Sequence, residues 1–247
     1  MDAPTLYPDR PDEIARIHEV WIERYVLPFA MCTAECLYGT VGMTHVILRE
    51  GIPGAFAECG VAGGAHPAVM HYLMRFRGQY RKIYLFDSFQ GVPMPTANDI
   101  PTKDRPGLDV RAMMFDGPEI VPKGKIVPSG RIEIAIEQTR TFMTQSGADM
   151  SSMCFVPGWF QDTLAKTVTG PLALLRLDGD VYDSIKVCID DLYERVSSGG
   201  YVIVHDWHHS GVRAAVCDAL GRDPPAKYLP ERGATGTTAY WRKDYDD

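Results

Sequence analysis

The sequence predicts an α/β fold, a doubly wound and mostly parallel sheet, and three observations carry that prediction. From residue 54 onward, short apolar runs alternate with stretches of helical periodicity, the pattern of parallel strands joined by crossover helices. The first run, "AFAECG" at 55–60, leads into the glycine-rich turn "VAGGAH" and then a helix. Two later runs end at Asp178 and at His205–Asp206, placing charged residues where buried strands stop.

Each element follows from its local pattern. Two apolar-periodic stretches within residues 12–50, "EIARIHEVWIERYVL" and "MCTAECLYGTVGMTHVILRE", read as helices with a break near Pro28. Strands are expected at 55–60, 82–88 ("KIYLFDS"), 153–158 ("MCFVPG"), 172–178 ("LALLRLD"), 199–205 ("GGYVIVH") and 237–243 ("TTAYWRK"). Helices are expected at 67–76, at 131–143 behind a Ser129 cap signal, at 182–196 and at 211–220. In the 182–196 helix, Ile185, Ile189, Leu192 and Val196 share one face. Residues 91–130 hold seven of the 18 prolines, too long and too broken for an ordinary connection, and read as a lid or binding loop. The expected organisation is one domain over 1–247, with a helical cap at 1–50 and a core at 54–247 that carries the 91–130 lid as an insertion.

Composition narrows the function classes. A chain of 247 residues that is 45% hydrophobic can bury one substantial core. Its net charge of −7 lacks the basic surplus that nucleic acid binding uses, so no nucleic acid partner is expected. The opening "MDAPTLYPDRPDE" has acids and prolines where a secretory signal has basic and apolar residues, and no apolar run is long enough to span a bilayer. A cytoplasmic protein with no membrane partner is the expectation. The cysteines (Cys32, Cys36, Cys59, Cys154, Cys188, Cys217) lie in apolar contexts with no CxxC spacing, and most read as buried thiols acting as small hydrophobes.

The glycine turn after the first strand bears on ligand binding. Gly60, Gly63 and Gly64 allow a tight bend and close backbone approach to a ligand, and the following helix N-terminus offers unpaired N–H groups. Asp87, at the tip of the second strand, is placed either to accept hydrogen bonds from ribose hydroxyls or to cap the turn "DSFQGVP". Glycine turns of this kind serve several nucleotides, and a nicotinamide-dependent dehydrogenase fits Gly60 and Asp87 equally well.

Further motifs separate these readings. "ECGVAGGA" with "LFDSFQGVP", then "GWFQDTL", "LLRLDGDVYDS" and "GGYVIVHDW" occur in that order over residues 33–220, and the chain there resembles the macrocin O-methyltransferase family. The resemblance implies a seven-stranded class I methyltransferase sheet using S-adenosylmethionine (SAM). By that resemblance Glu58, Gly60 and Gly63 hold the methionine end, Asp87 the ribose, and Ser88, Phe89, Trp159 and Asp162 surround the adenine. It also implies a divalent metal, Mg²⁺ or Mn²⁺, bound by acids at the ends of the fourth and fifth strands. The family's acceptors are hydroxyls of small natural products, sugars among them, and an assembly of identical chains rests on the resemblance alone.

In the class I strand order the tips carrying Asp178 and Asp206 are neighbours, about 4.8 Å apart, close enough to share one cation. The family has two adjacent acids where this chain has His205–Asp206. An imidazole there weakens the case for Mg²⁺ and is compatible with Mn²⁺, Fe²⁺, Ni²⁺ or Zn²⁺, so the metal set reads as Asp178, His205 and Asp206. The base that takes the hydroxyl proton is expected to be His208 or Asp178. His208 and His209 also fit a loop without a role. Asp180 is a further candidate ligand or a group that orients one, whereas Asp183 reads as a helix N-terminal acid. Two alternatives stay open: a non-catalytic SAM-binding accessory protein, and a metal-independent methyltransferase.

Overall fold

A computed structural model describes residues 11–115, 117–229 and 238–244. In chain order the elements are α1 (Pro11–Tyr25), α2 (Ala34–Glu50), β1 (Ala55–Cys59), α3 (Ala65–Phe76), β2 (Ile83–Asp87), β3 (Val92–Pro93), α4 (Val110–Met114), β4 (Pro128–Arg131) and α5 (Ile136–Gln145). They continue with β5 (Met153–Pro157), α6 (Phe160–Thr163), β6 (Leu172–Leu177), α7 (Tyr182–Leu192), β7 (Val196–Val204), α8 (Ser210–Leu220), β8 (Lys227–Leu229) and β9 (Thr238–Arg242).

The main sheet has seven strands in the order β5-β2-β1-β6-β7-β9-β8. The first five strands in that order run parallel, while β9 pairs antiparallel with β7 and with β8. The strand order reverses between β1 and β6, the crevice where open α/β sheets bind ligands. β6 is buried at every position because both of its faces are covered by helices, which is why it reads as an unbroken apolar run.

Two apolar layers hold the sheet. On one face, Ile22, Val26, Leu37, Val41 and Ile47 from α1 and α2 pack with Val69, Met70 and Leu73 of α3 and with Phe56 and Leu174 of the sheet. The N-terminal helices are therefore part of the main core. On the other face, Ile185, Cys188, Ile189 and Leu192 of α7 meet Val212, Ala215 and Val216 of α8 over Leu175, Val202 and Trp241. α2 starts at the Thr33 cap, whose hydroxyl accepts from Cys36 N at 3.4 Å, and ends at Gly51 in the left-handed conformation. The chain bends near Pro28 through a single 3₁₀ turn, Leu27–Phe29.

Several boundaries differ from expectation. The helix expected at 131–143 starts at Ile136, because Pro128–Arg131 forms β4 against β3 instead. The Ser129 hydroxyl, expected to cap that helix, donates to Val92 O at 2.6 Å across this hairpin. The helix expected at 182–196 ends at Leu192, and Val196 opens β7 opposite Leu172. β8, a short edge strand with exposed Lys227 and Tyr228, has too little apolar pattern to be read from sequence. Residue 237 of the last expected strand lies outside the described residues.

The 91–130 lid is anchored. Asp99 is 1% exposed; its Oδ1 accepts from Tyr182 N at 2.6 Å and its Oδ2 from Thr96 N at 2.9 Å, while its carbonyl accepts from the Ser210 hydroxyl at 3.1 Å. Leu108 exchanges backbone hydrogen bonds with the α8 entry, donating to His208 O at 2.8 Å and accepting from Ser210 N at 3.1 Å. The lid thus sits on the N-termini of α7 and α8, above the carboxyl ends of β6 and β7.

Candidate active site

The β1 turn is built by backbone closeness. Gly60 has φ +88°, and a Cβ there would lie 1.7 Å from the Asp178 carbonyl oxygen. At Gly63 a Cβ would lie 2.7 Å from the Phe29 carbonyl, and at Gly64 (φ +86°) 2.8 Å from Met143. Neighbouring protein alone therefore requires glycine at these positions, and Gly60 and Gly63 also line cavities beside the turn. Two of the turn's N–H groups, those of Val61 and Ala62, donate to Asp87 Oδ2 at 2.7 and 3.1 Å, and Phe89 N donates to Asp87 Oδ1 at 2.7 Å. An ionised carboxylate has about four acceptor sites, so Asp87 retains capacity for one further donor.

A buried ion network lies beside the turn. Arg176, 1% exposed inside β6, donates to Glu58 Oε1 at 2.6 Å and to Asp178 Oδ2 at 3.0 Å. Glu58 Oε2, Arg176 Nε and Arg176 Nη2 make no hydrogen bond among the described residues. Glu58 and Arg176 both line a small cavity that also touches Gly60, Gly63 and Asp178. Sequence reading passed over Arg176, although a lone charge in an otherwise apolar buried run is itself a signal that a partner waits nearby.

The tips of β6 and β7 converge as their pairing requires. Leu177 pairs with Val204, which sets Asp178 beside His205. His205 Nδ1 stands 3.2 Å from Asp178 Oδ1 and 3.2 Å from Asp206 Oδ2, and ligand atoms of all three residues lie within 4.8 Å of one another. Burial works against charge on the imidazole, but the Asp178 and Asp206 carboxylates outweigh it and raise the His205 pKa well above its ordinary value. Burial would raise the Asp178 carboxyl; the cations at His205 and Arg176 prevail and hold it well below the usual carboxylate range. Asp180 goes the other way, pushed well up by burial and then by the Asp206 and Asp178 charges.

Backbone strain collects around this site. Ala62, Ile132, Asp180 and Asp206 have φ between +45° and +60° and all line one cavity at the carboxyl edge of the sheet, and Phe89 (φ +53°) follows the cavity residue Ser88. Each left-handed non-glycine residue costs about 1–2 kcal/mol, and such strain gathers where function fixes geometry. The same cavity is lined by Gly60, Asp87, Ser88, Trp159, Asp178, His205 and Asp206, with Ile134, Val92 and Phe160 as apolar wall.

Not every expected site residue reaches it. Phe89 and Asp162 do not line the cavity; Asp162 is exposed on α6, and the Phe89 ring faces Phe155 at 6.2 Å. His208 is also absent from the lining: its ring meets His209 edge-on at 4.4 Å and its carbonyl receives the lid. Burial and the neighbouring His209 lower its pKa, so it is neutral near pH 7. Asp99, which fastens the lid, was not singled out from sequence, where its only mark is the Thr96-x-x-Asp99 cap pattern.

Comparison with known proteins places this geometry. The macrocin O-methyltransferase (TylF) family profile matches residues 24–115 and 124–243. A Streptomyces olivaceus protein named 8-demethyl-8-(2,3-dimethoxy-alpha-L-rhamnosyl)-tetracenomycin-C 4'-O-methyltransferase is 34% identical over 80% of this chain and 69% of its own. Mycinamicin III 3''-O-methyltransferase of Micromonospora griseorubida is 29% identical over 79% of this chain and 71% of its own. Among solved structures, the O-methyltransferase NovP has a TM-score of 0.70 at 24% identity, covering 87% of this chain and 82% of its own. The calicheamicin methyltransferase CalS11 has a TM-score of 0.67 at 19% identity, covering 100% and 98%. These likenesses support the class I methyltransferase fold. With a family match across most of its length, the chain belongs to the macrocin O-methyltransferase family.

Proposed function

We propose that this protein transfers a methyl group from SAM to a hydroxyl of a small natural product, a sugar hydroxyl foremost. The observation that carries the reading is the meeting of the β1 glycine turn with the Asp178–His205–Asp206 cluster on one cavity at the carboxyl edge of the sheet. The named relatives are O-methyltransferases of a rhamnosyl-tetracenomycin, of mycinamicin III and of demethyldecarbamoylnovobiocin, and the reading brings that chemistry to this chain.

The site suits the cofactor. The unpartnered Glu58 Oε2 and Arg176 Nη2 beside the turn offer an acceptor and a donor, the complement of an amino acid's ammonium and carboxylate. The free acceptor capacity of Asp87 matches one ribose hydroxyl, and Ser88 and Trp159 line the wall beyond it. When bound, SAM supplies an electrophilic methyl group on a sulfonium.

Asp178, which lines the cavity, accepts the hydrogen bond of the acceptor hydroxyl and aims its oxygen. Its depressed pKa makes it a weak base toward an alcohol, but a hydroxyl gaining a methyl group becomes a strong acid, so a weak base suffices late in the step. His205, with Nδ1 3.2 Å from Asp178 Oδ1, holds the carboxylate in place by charge. His208, outside the cavity wall, is the less favoured base in this reading. The donor set Asp178, His205 and Asp206 fits a divalent ion once His205 is neutral. Such an ion would lower the pKa of a hydroxyl bound to it.

Incubation with isotopically labelled SAM and a panel of glycosylated natural products tests the reading. Expected is label in a product whose mass has grown by one methyl for hydrogen exchange. Absence of SAM binding in a calorimetric titration overturns it.

A further inference from the structure

Outside the carboxylate cluster, a second group of metal-competent side chains converges where α2 and α3 begin. Cys32 lies just before the Thr33 cap of α2, Cys36 is the third residue of that helix, and His66 is the second residue of α3. One ligand atom from each lies within 4.8 Å of the others, and Cys32 Sγ is 3.3 Å from His66 Nε2. We propose that Cys32, Cys36 and His66 form a thiolate–imidazole site for a borderline-soft divalent ion, zinc foremost.

The arrangement suits a metal better than it suits three core side chains. Zn–S bonds of about 2.3 Å and Zn–N bonds of about 2.1 Å at a tetrahedral angle put ligand atoms roughly 3.6 Å apart, so the 3.3 Å sulfur–nitrogen contact needs only a few tenths of an ångström of adjustment. His66 is already oriented for it. Its Nδ1 is 2.9 Å from the Thr40 hydroxyl, which can accept a hydrogen bond from Nδ1–H and leave the Nε2 lone pair facing Cys32. Cys36 is 1% exposed and His66 5%, whereas Cys32 is partly exposed and lines a small cavity with His66, which gives an entry path. Two thiolates cancel the ion's double charge, so the centre adds no net charge beside Arg176 on the same cavity wall.

Ligand softness separates this site from the carboxylate cluster. Thiolates and imidazole select zinc and its neighbours, while carboxylates suit harder ions. The metal would clip the start of α2, within the N-terminal helices, to the helix that carries the β1 turn.

Cobalt(II) titration of the full chain, purified under reductant and stripped of metal, reads the site directly. Expected is one equivalent bound with an intense thiolate-to-cobalt charge-transfer band and tetrahedral d–d bands, both displaced by zinc. Cys32→Ser and His66→Asn abolish the charge-transfer band, and Thr40→Val weakens binding by about 10- to 100-fold, as loss of a group that orients a ligand does. Asp178→Asn and Cys217→Ser keep the band, since neither contributes a ligand. Circular dichroism on every variant separates lost binding from lost fold, and the wild-type titration alone decides if the Cys32 or His66 variant fails to fold. No thiolate band in wild type, a band that survives Cys32→Ser, or a Cys32–Cys36 disulfide in metal-free protein each overturns the proposal. The readout is independent of methyl transfer, so its failure leaves the functional reading standing.

Discussion

The two halves of the candidate active site are held by opposite means. The β1 turn is fixed by main-chain closeness: Gly60 lies against the Asp178 carbonyl, and Val61 and Ala62 donate their N–H groups to Asp87. The tips of β6 and β7 are fixed by side-chain charge, with His205 between two carboxylates and Arg176 bridging Asp178 to Glu58. The first kind of site is sensitive to a single added methyl group; the second is sensitive to protons. Because Gly60 touches Asp178, the two halves are also mechanically one unit.

The largest effect is expected where the halves touch. Gly60→Ala places a Cβ at φ +88° within 1.7 Å of the Asp178 carbonyl. Strain and overpacking together should cost roughly 3 kcal/mol or more in urea unfolding. Methyl transfer should be lost with it. Gly63→Ala, at ordinary φ against the Phe29 carbonyl at 2.7 Å, should cost about 1–3 kcal/mol. Equal stability of wild type and Gly60→Ala would show that the turn yields freely, and the comparison would break.

A second test bears on the charged half. Asp178→Asn keeps shape but removes charge and basicity, and should lower the methyl transfer rate by about 10²–10⁴-fold. His208→Gln, altering a ring outside the cavity, should lower it by less than about tenfold. Steady-state rates at saturating SAM give the ranking, and the reverse ranking moves the base to the β7 tip.

The smallest effect is a pH dependence of stability in metal-free protein. The folded pKa of His205 is raised, so its contribution is complete below the unfolded value of about 6.5 and is lost as pH rises through the folded value. The folded pKa of Asp178 is depressed, so its contribution is complete above the unfolded value of about 3.9 and is lost as pH falls. Thermal melts should therefore be highest between about pH 4 and 6.5 and decline on both sides. His205→Gln should flatten the alkaline side, and a wild-type melt unchanged from pH 6 to 9 would contradict the charge network.

Legibility followed the same division. Strand ends were readable because an apolar run that stops at a carboxylate marks the sheet edge, as at Asp87 and Asp178. Helix starts failed where a tertiary partner claimed the cap: Ser129 is engaged by Val92, which pushes α5 back to Ile136. The convergence of Asp178, His205 and Asp206 was readable because register alone brings neighbouring strand tips together. The convergence of Cys32, Cys36 and His66 was not, since α2 and α3 meet only by packing on the same face.

By itself the sequence determined the alternation of strands and crossover helices, the glycines at the β1 turn and the chemistry carried at the strand tips. All of these depend on neighbours close in the chain or on the fixed geometry of a parallel sheet. Only the tertiary structure decided what each group touches: that Gly60 makes room for Asp178, that Arg176 stands between Glu58 and Asp178, that Asp99 pins the lid, and that the His208 ring packs edge-on against His209. Those contacts join residues far apart in the chain, and their energies depend on burial and distance, which no local pattern of residue types encodes.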